Sequence, residues 1–202
     1  MTNMLRKQLR PAIVMTLVLC VITGFAYPAL VTGLAQILFP HQANGSTIVV
    51  NGRVVGSSLI GQSFSGPDYF HGRPSAAGAG YDATASSGTN KGPTDTKLAD
   101  TLIARAVDSV VAQDGGVKGK IPSDMVTSSA SGLDPHISPA TAELQIARVA
   151  RQRGTTDSVV RAIVAHHTLR RQFGVLGEPV VNVLELNLAL DSLLPRHRAD
   201  GQ

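Results

Sequence analysis

The chain has 202 residues, enough for one sizeable domain and an additional segment, and its 18 Lys/Arg outnumber its 14 Asp/Glu. The excess is localised: Arg6, Lys7 and Arg10 precede the first acid, Asp68, while the other fifteen basic and all fourteen acidic residues lie from Arg53 onward and net +1. That distribution lacks the basic, aromatic-interleaved footprint of a nucleic-acid surface, and the single cysteine, Cys20, excludes an intrachain disulfide or a cysteine zinc cluster.

From Pro11 to Pro40 no residue carries a formal charge. The window Ala12 to Val31 holds twenty residues and shows no polar face, with only Thr16 and Thr23 interrupting it before the interfacial Tyr27. At about 1.5 Å rise per residue it spans about 30 Å, the thickness of a bilayer's hydrocarbon core. Tyr27 and Pro28 suit the far interface, where an amphipathic ring and a kink are both tolerated. A cleaved secretory signal is the competing reading. The long apolar run and the lack of a clear A-x-A site around Ala26 and Ala29 favour a retained anchor. Three cationic residues before the span and none after it until Arg53 orient the N-terminus toward the cytoplasm. The expected organisation is a cytoplasmic basic N-terminus over 1–11, a transmembrane helix over 12–34 and an extracytoplasmic domain over 41–202.

Beyond the span, Ile48–Val50 and Val54–Val55 flank Asn51-Gly52, a pair that readily takes the positive φ values of a type I′ turn. A β-hairpin is expected there, with Ser58 to Phe64 as a further candidate strand. Ser65 to Pro93 is rich in Gly, Ser, Ala, Pro, Asn and Asp, with Tyr69, Phe70 and Tyr81 as candidate pins. A loop of that length is expected to be disordered or functional. Thr94 or Thr96 caps a helix to about Gln113, with Leu98, Leu102, Ala106 and Val110 on one face and Gly115-Gly116 at its end. A second loop, Val117 to Ile137, leads into Ser138-Pro139, a cap followed by proline at the first helical position.

That helix runs to Arg153 and stops at Gly154. Thr155/Thr156 start the next, with Val159, Val160, Ile163 and Val164 as its buried stripe. Glu178 to Val181 reads as a short strand. Asn182 with Glu185 makes a capping-box-like start to a last helix reaching Leu194, although Leu184, Leu186, Leu188 and Leu190 also alternate at the period of a strand. The fold class is therefore mixed α+β: one N-terminal transmembrane helix, then a domain with a short β-hairpin or sheet and about four helices.

Several motifs invite chemistry and lack its context. Gly78-Ala79-Gly80-Tyr81-Asp82-Ala83 matches a dinucleotide fingerprint without the flanking strand and helix that it needs. Neither Lys91 nor Lys97 follows P-loop glycine spacing. Gly61-Gln62-Ser63-Phe64-Ser65 falls one glycine short of a nucleophile elbow. His166-His167 would point about 100° apart on a helix and could not readily chelate one ion, so His167 reads as a structural histidine and no metal site is expected. Asn44-Gly45-Ser46 is a sequon of the kind that arises by chance. Arg148, Arg151 and Arg153 read as a solvated helix face able to meet acids on a partner. Ser129 to Gln145 (SASGLDPHISPATAELQ) reads first as a helix-entry loop, Asp134-Pro135 turning the chain, and alternatively as a docking or ligand loop.

Taken together, several stretches resemble the C subunit of the Kdp-type potassium-transporting P-type ATPase complex. They are the basic start before one span, Tyr69-Phe70-His71-Gly72-Arg73-Pro74-Ser75, Gly88-Thr89-Asn90, Ser129 to Pro139, Arg148-Val149-Ala150, Gly177 to Leu184 and Leu186 to Asp191. The likeness covers essentially the whole chain. It departs at Leu169-Arg170, where the family tends to an acidic and a small residue, and at Val180, where a basic residue is common.

The resemblance implies a non-catalytic accessory subunit that stabilises and assembles a channel-like potassium subunit and an ATP-hydrolysing subunit, its partners beside membrane lipid. It implies no tightly bound cofactor, ATP entering only through the complex, and a proposed rise in the ATP affinity of the pump subunit. Ser131, Gly132 and Gln145 match the family's proposed nucleotide site. Tyr69, Phe70, Arg73, Asp134, Pro135, His136, Glu178 and Asn182 are the expected docking residues. The alternatives are a free-standing envelope hydrolase using Ser63 and a histidine, and a solute-binding module, which would lack a lipidated cysteine because Cys20 is mid-span.

Overall fold

The structure, a computed structural model, describes residues 2–115 and 120–195. The chain divides into two compact units, Met1–Thr47 and Ile48–Gln202.

The first unit is almost entirely helical. α1 (Thr2–Val21) continues through a π-helical turn (Ile22–Ala26) into α2 (Tyr27–Leu38), and a short α3 (Pro40–Ala43) follows. The helical stretch Lys7–Leu38 has 32 residues, and an 18-residue window within it has a mean hydropathy of 2.2 with none of that window buried within the protein. At about 1.5 Å per residue the whole stretch is longer than the roughly 30 Å hydrocarbon core of a bilayer. Apolar surface of that extent is what a lipid-facing helix presents. Inside it, the Thr23 hydroxyl donates back to the Leu19 carbonyl at 2.7 Å, so even this polar group is satisfied by its own helix.

The second unit is mixed α+β. β1 (Thr47–Val50) and β2 (Arg53–Ser57) form the expected hairpin, with Asn51 at φ 52° and Gly52 at φ 75°. Those two positive values are the type I′ geometry that the Asn-Gly pair favours. No strand follows over Ser58–Phe64. That segment is irregular, and its backbone at Gly61 donates to Leu133 of the second loop at 2.8 Å.

A π-helical stretch (Lys97–Ile103) runs into α4 (Ala104–Asp114). Thr96 precedes it without a side-chain cap, and Asp95 caps instead, accepting from the Lys97 N–H at 2.8 Å. The wider π turn shifts the phase of the helix. Val110 is accordingly buried while Leu102, expected on the same face, is exposed. Gly115 closes α4 in the left-handed conformation, φ 69°. Gly116 and Val117, where the helix end and the second loop were expected to meet, lie outside the described residues, as does the chain after residue 195.

α5 (Pro139–Gln152) begins as its Ser-Pro start predicts. Ser138 Oγ accepts from Thr141 N–H at 3.1 Å, and Asp124 accepts from Ser138 N–H at 2.7 Å and from Thr141 Oγ1 at 2.8 Å. α5 packs on α6 (Asp157–His166), whose Val160, Ile163 and Val164 are buried. Val159, expected in that stripe, is exposed, because only one side of this ten-residue helix faces α5. α7 (Val183–Leu193) settles the helix–strand ambiguity: Asn182 accepts from the Glu185 N–H at 3.2 Å and Leu186 and Leu190 are fully buried.

Three short antiparallel strands, β3 (His136–Ile137), β5 (Val180–Asn182) and β4 (Thr168–Leu169), join in the order β3-β5-β4. Val181 sits opposite both Ile137 and Thr168. This small sheet closes one side of a core built from Phe70, Ile137, Ile146, Val149, Val160 and Leu186.

Candidate functional site

The Ser65–Pro93 connection, expected to be disordered or functional, is held between Pro67 and His71 by side chains from α5 and α7. Phe70 is fully buried, and the carboxamide of Asn187 on α7 brackets it: Phe70 N–H donates to Oδ1 at 2.9 Å and Nδ2 donates to the Phe70 carbonyl at 2.9 Å. Gln145 on α5 treats the next residue in the same way. Its Oε1 accepts from His71 N–H at 2.7 Å and its Nε2 donates to the His71 carbonyl at 3.1 Å. A buried backbone that is part of no ladder must find partners elsewhere, and here two buried amides supply them.

The arginines of α5 complete the clamp. Arg148 donates to the carbonyls of Pro67 and Tyr69 at 2.7 and 2.8 Å, to Gln145 Oε1 at 2.7 Å and to Asp114 Oδ1 at 2.7 Å. Arg153 donates to the Asp68 carbonyl at 2.8 Å, to the Leu194 carbonyl at 3.0 Å and to Asp191 at 2.9 Å, and its guanidinium stacks 5.1 Å from the centre of the Tyr69 ring. The Tyr69 hydroxyl in turn donates to Asp191 Oδ2 at 2.8 Å. The expected solvated basic face is thus corrected: Arg151 is exposed, whereas the side chains of Arg148 and Arg153 are 5 and 1% exposed. Their long planar forks reach backbone carbonyls of the first loop, at Pro67, Asp68 and Tyr69.

A second set of contacts stitches the loops to one another. Arg73 pairs with Asp134 at 2.9 Å, and Asp134 Oδ1 also accepts from the His136 N–H at 3.0 Å. The His136 imidazole, 3.6 Å away, then the His136 N–H and Arg73, hold the Asp134 carboxyl down to about 2. Tyr81 donates its hydroxyl to the Arg73 carbonyl at 2.7 Å, and burial beside Asp134 pushes its phenol up to about 12. Ser75 Oγ donates to the Gly132 carbonyl at 2.6 Å, and Ser87 N–H donates to the Ser131 carbonyl at 3.0 Å. Gly132 has φ 67°, and an added Cβ would lie 2.5 Å from the Ser87 carbonyl oxygen and 2.7 Å from Ala77 N. Only glycine fits there.

The structure therefore gathers Tyr69, Phe70, Arg73, Asp134, Pro135 and His136 into one region, with Asn182 joined to it by its pairing with His136 across β3 and β5, its Nδ2 donating to the Ser58 carbonyl at 2.8 Å. Pro135 contributes its carbonyl, which accepts from Val183 N–H at 3.0 Å. Glu178 lies apart, on an exposed segment, paired with Arg171 at 2.6 Å. Of the three residues matched to a nucleotide site, Gln145 is fully buried and committed to His71 and Arg148, Gly132 is wedged against Ala77 and Ser87, and Ser131 braces the loop through its carbonyl.

Two adjoining clefts, about 480 and about 310 Å³, open between the first loop and α4. Ser63, His71, Arg73 and Tyr81 line the larger, and His71, Gln113, Arg148 and Arg151 the smaller. Burial holds the His71 imidazole below its ordinary value, with Arg148 adding to the effect and the Gly66 carbonyl, 2.9 Å from Nε2, opposing it. With Nε2 donating to Gly66, that nitrogen is not available to take a proton from Ser63. Sequence reasoning gave no role to Asn187 and Asp191, although both stand in the Leu186–Asp191 stretch that carries the resemblance. Their signal was two polar residues four apart on a helix whose other faces bury leucine.

Compared with known proteins, the chain matches the sequence profile of the family described as "K+-transporting ATPase, c chain" over residues 9–192. The chain belongs to the KdpC family. Relatives named potassium-transporting ATPase KdpC subunit include that of Gemmatimonas aurantiaca, 67% identical over 188 residues that cover 93% of this chain and 94% of the relative. That of Koribacter versatilis is 55% identical over 192 residues, 95% of this chain and 97% of the relative. As a KdpC family member the chain is a membrane-associated subunit of a K+-transporting ATPase complex, and the clamped loops described above lie wholly within the matched span.

Proposed function

We propose that this KdpC family chain is a non-catalytic stabiliser of the potassium-transporting complex, held in the bilayer by its apolar helix and presenting the clamped loops to the other subunits. The observation that supports this most is how the polar groups of the loop region are used. Gln145, Arg148, Arg153, Asn187 and Asp191 are engaged in holding irregular backbone in one shape. Rigid, irregular surface is what recognition of another protein needs, since less ordering entropy is then lost on binding. The channel-like and ATP-hydrolysing subunits are the partners that the family resemblance implies.

The domain is assigned to the outer side of the membrane by the positive-inside rule, on Arg6, Lys7 and Arg10 before the span. Any change in the pump subunit's ATP affinity then comes through the assembled complex, not through a bond from Gln145 to nucleotide. Co-purification from detergent tests the role. Deleting the chain should leave the other subunits dissociated and high-affinity potassium uptake lost; intact assembly with full uptake would overturn it. A reporter fused after Gln202 should be active only outside the cytoplasm.

A further inference from the structure

From Leu169 to Glu178, between α6 and β5, every residue is exposed. This segment doubles back in a tight turn. Gln172 N–H donates to the Leu176 carbonyl at 2.8 Å and Leu176 N–H to the Gln172 carbonyl at 2.9 Å, with Phe173 (φ 53°) and Gly174 (φ 79°) at the tip. Leu169, Phe173, Val175 and Leu176 are 51, 85, 72 and 56% exposed. An aromatic residue held in the left-handed region with its ring in water pays twice, in backbone strain and in hydration, and such expense marks a functional segment.

The chemistry of the tip is amphipathic. Its apolar side chains stand beside Arg170 and Arg171; with Glu178 as the single acid, the segment nets +1. Arg171 is paired with Glu178, and among the described residues Arg170 makes no ion pair. A convex turn that projects one ring and two aliphatic side chains, flanked by a cation, suits insertion among lipid headgroups: the ring and aliphatics enter the acyl boundary and the guanidinium meets phosphate. A flat or concave face would instead have favoured a folded partner. The apolar helix Lys7–Leu38 keeps a bilayer at high effective concentration for any such element on the same chain.

We propose that the Leu169–Glu178 turn is a second membrane contact, inserting Phe173, Val175 and Leu176 into the interface of a bilayer containing anionic phospholipid. It rests on the helix being membrane-embedded, and not on which subunits the chain assembles with. The chain has no tryptophan, so Phe173→Trp places a sole fluorophore at the tip. The full chain would be reconstituted alone in nanodiscs of mixed zwitterionic and anionic phospholipid, with or without brominated acyl chains. The expected result is blue-shifted emission, quenched at least twofold by bromine, with quenching reduced in the Arg170→Glu background. Val175→Trp should behave alike, guarding against a local effect of one substitution. Phe25→Trp, within the span, should be quenched in every case. Red-shifted, unquenched emission at Phe173→Trp, or blue-shifted emission that bromine leaves alone, would overturn the inference while quenching at Phe25→Trp still upheld the anchor. Loss of quenching at all three positions would overturn the anchor and this contact together.

Discussion

Gln145 and His71 are joined at both backbone groups of the histidine, through a carboxamide that is wholly removed from solvent. The arrangement imitates one rung of a β-ladder, with a side chain standing in for the missing strand. Replacing Gln145 by leucine keeps much of the volume and leaves His71 N–H and C=O without their partner. Each unmade bond at a buried group costs about 1–3 kcal/mol, so Gln145→Leu should destabilise the folded part by about 2–4 kcal/mol on that scale. Chemical unfolding of the full chain in detergent, followed by far-UV circular dichroism, measures this. A variant that unfolded like the parent would show that the clamp contributes nothing to stability, and would return Gln145 to the candidates for ligand contact.

Arg148 and Asp114 make the most enclosed ion pair among the described residues, with side chains 5 and 1% exposed and 2.7 Å between them. Asp114 Oδ2 has no hydrogen-bond partner there. Removing the arginine therefore strands a carboxylate that has little water to turn to. Arg148→Met should cost about 3–5 kcal/mol, the range for breaking a buried pair. The double variant Arg148→Met/Asp114→Leu should recover part of that loss, because the uncompensated charge goes with it. A double-mutant cycle on unfolding midpoints reads the coupling. Equal destabilisation in the single and double variants would mean that the loss comes from the Pro67 and Tyr69 carbonyls instead.

What the residue pattern disclosed, and what it did not, follows from the range of the interactions. The Asn51-Gly52 turn, the Ser138-Pro139 helix start and the Asn182 cap are local devices, closed within a few residues, and each is found where its motif stands. The α+β class and the apolar helix follow from periodicity and run length in the same way. Arg148 and Arg153 read as a solvated face because their carbonyl partners lie about eighty residues away, at Pro67, Asp68 and Tyr69. No pattern within α5 encodes that. The same holds for the Ser65–Pro93 stretch, whose composition signals irregular backbone but not the amides of Gln145 and Asn187 that order it. Leu102 is lost from its expected face for a different reason, since a π turn changes the period on which the expectation rested.

Gly132 offers a test confined to the backbone. Its positive φ and the closeness of Ser87 O and Ala77 N leave no room for a methyl group. Gly132→Ala should destabilise by more than the roughly 1 kcal/mol that αL alone imposes on alanine, and should loosen the contact between the two loops. Hydrogen exchange at Ser87, whose N–H donates to the Ser131 carbonyl, ought to quicken before any global change is seen. Unaltered protection at that amide would mean that the loops do not depend on this close approach.

Two groups give stability opposite ends of an acid titration. Asp134, held down to about 2 by His136 and Arg73, binds its proton more weakly folded than unfolded. Its contribution is complete above the ordinary carboxylate value and is lost as pH falls from there toward about 2. His71 is held below its ordinary imidazole value, chiefly by burial. The unfolded chain then takes up the proton first, so stability declines as pH drops below the ordinary value of 6.5 toward the lowered one, and is unaffected above it. Unfolding midpoints measured from about pH 8 to about pH 2 should show two separate losses. Asp134→Asn should start lower and remove the one at the acid end, and His71→Gln should remove the one that begins near neutrality. If the neutral-range slope persists in His71→Gln, the imidazole is not its source, and His167, also lowered by burial, becomes the group to replace.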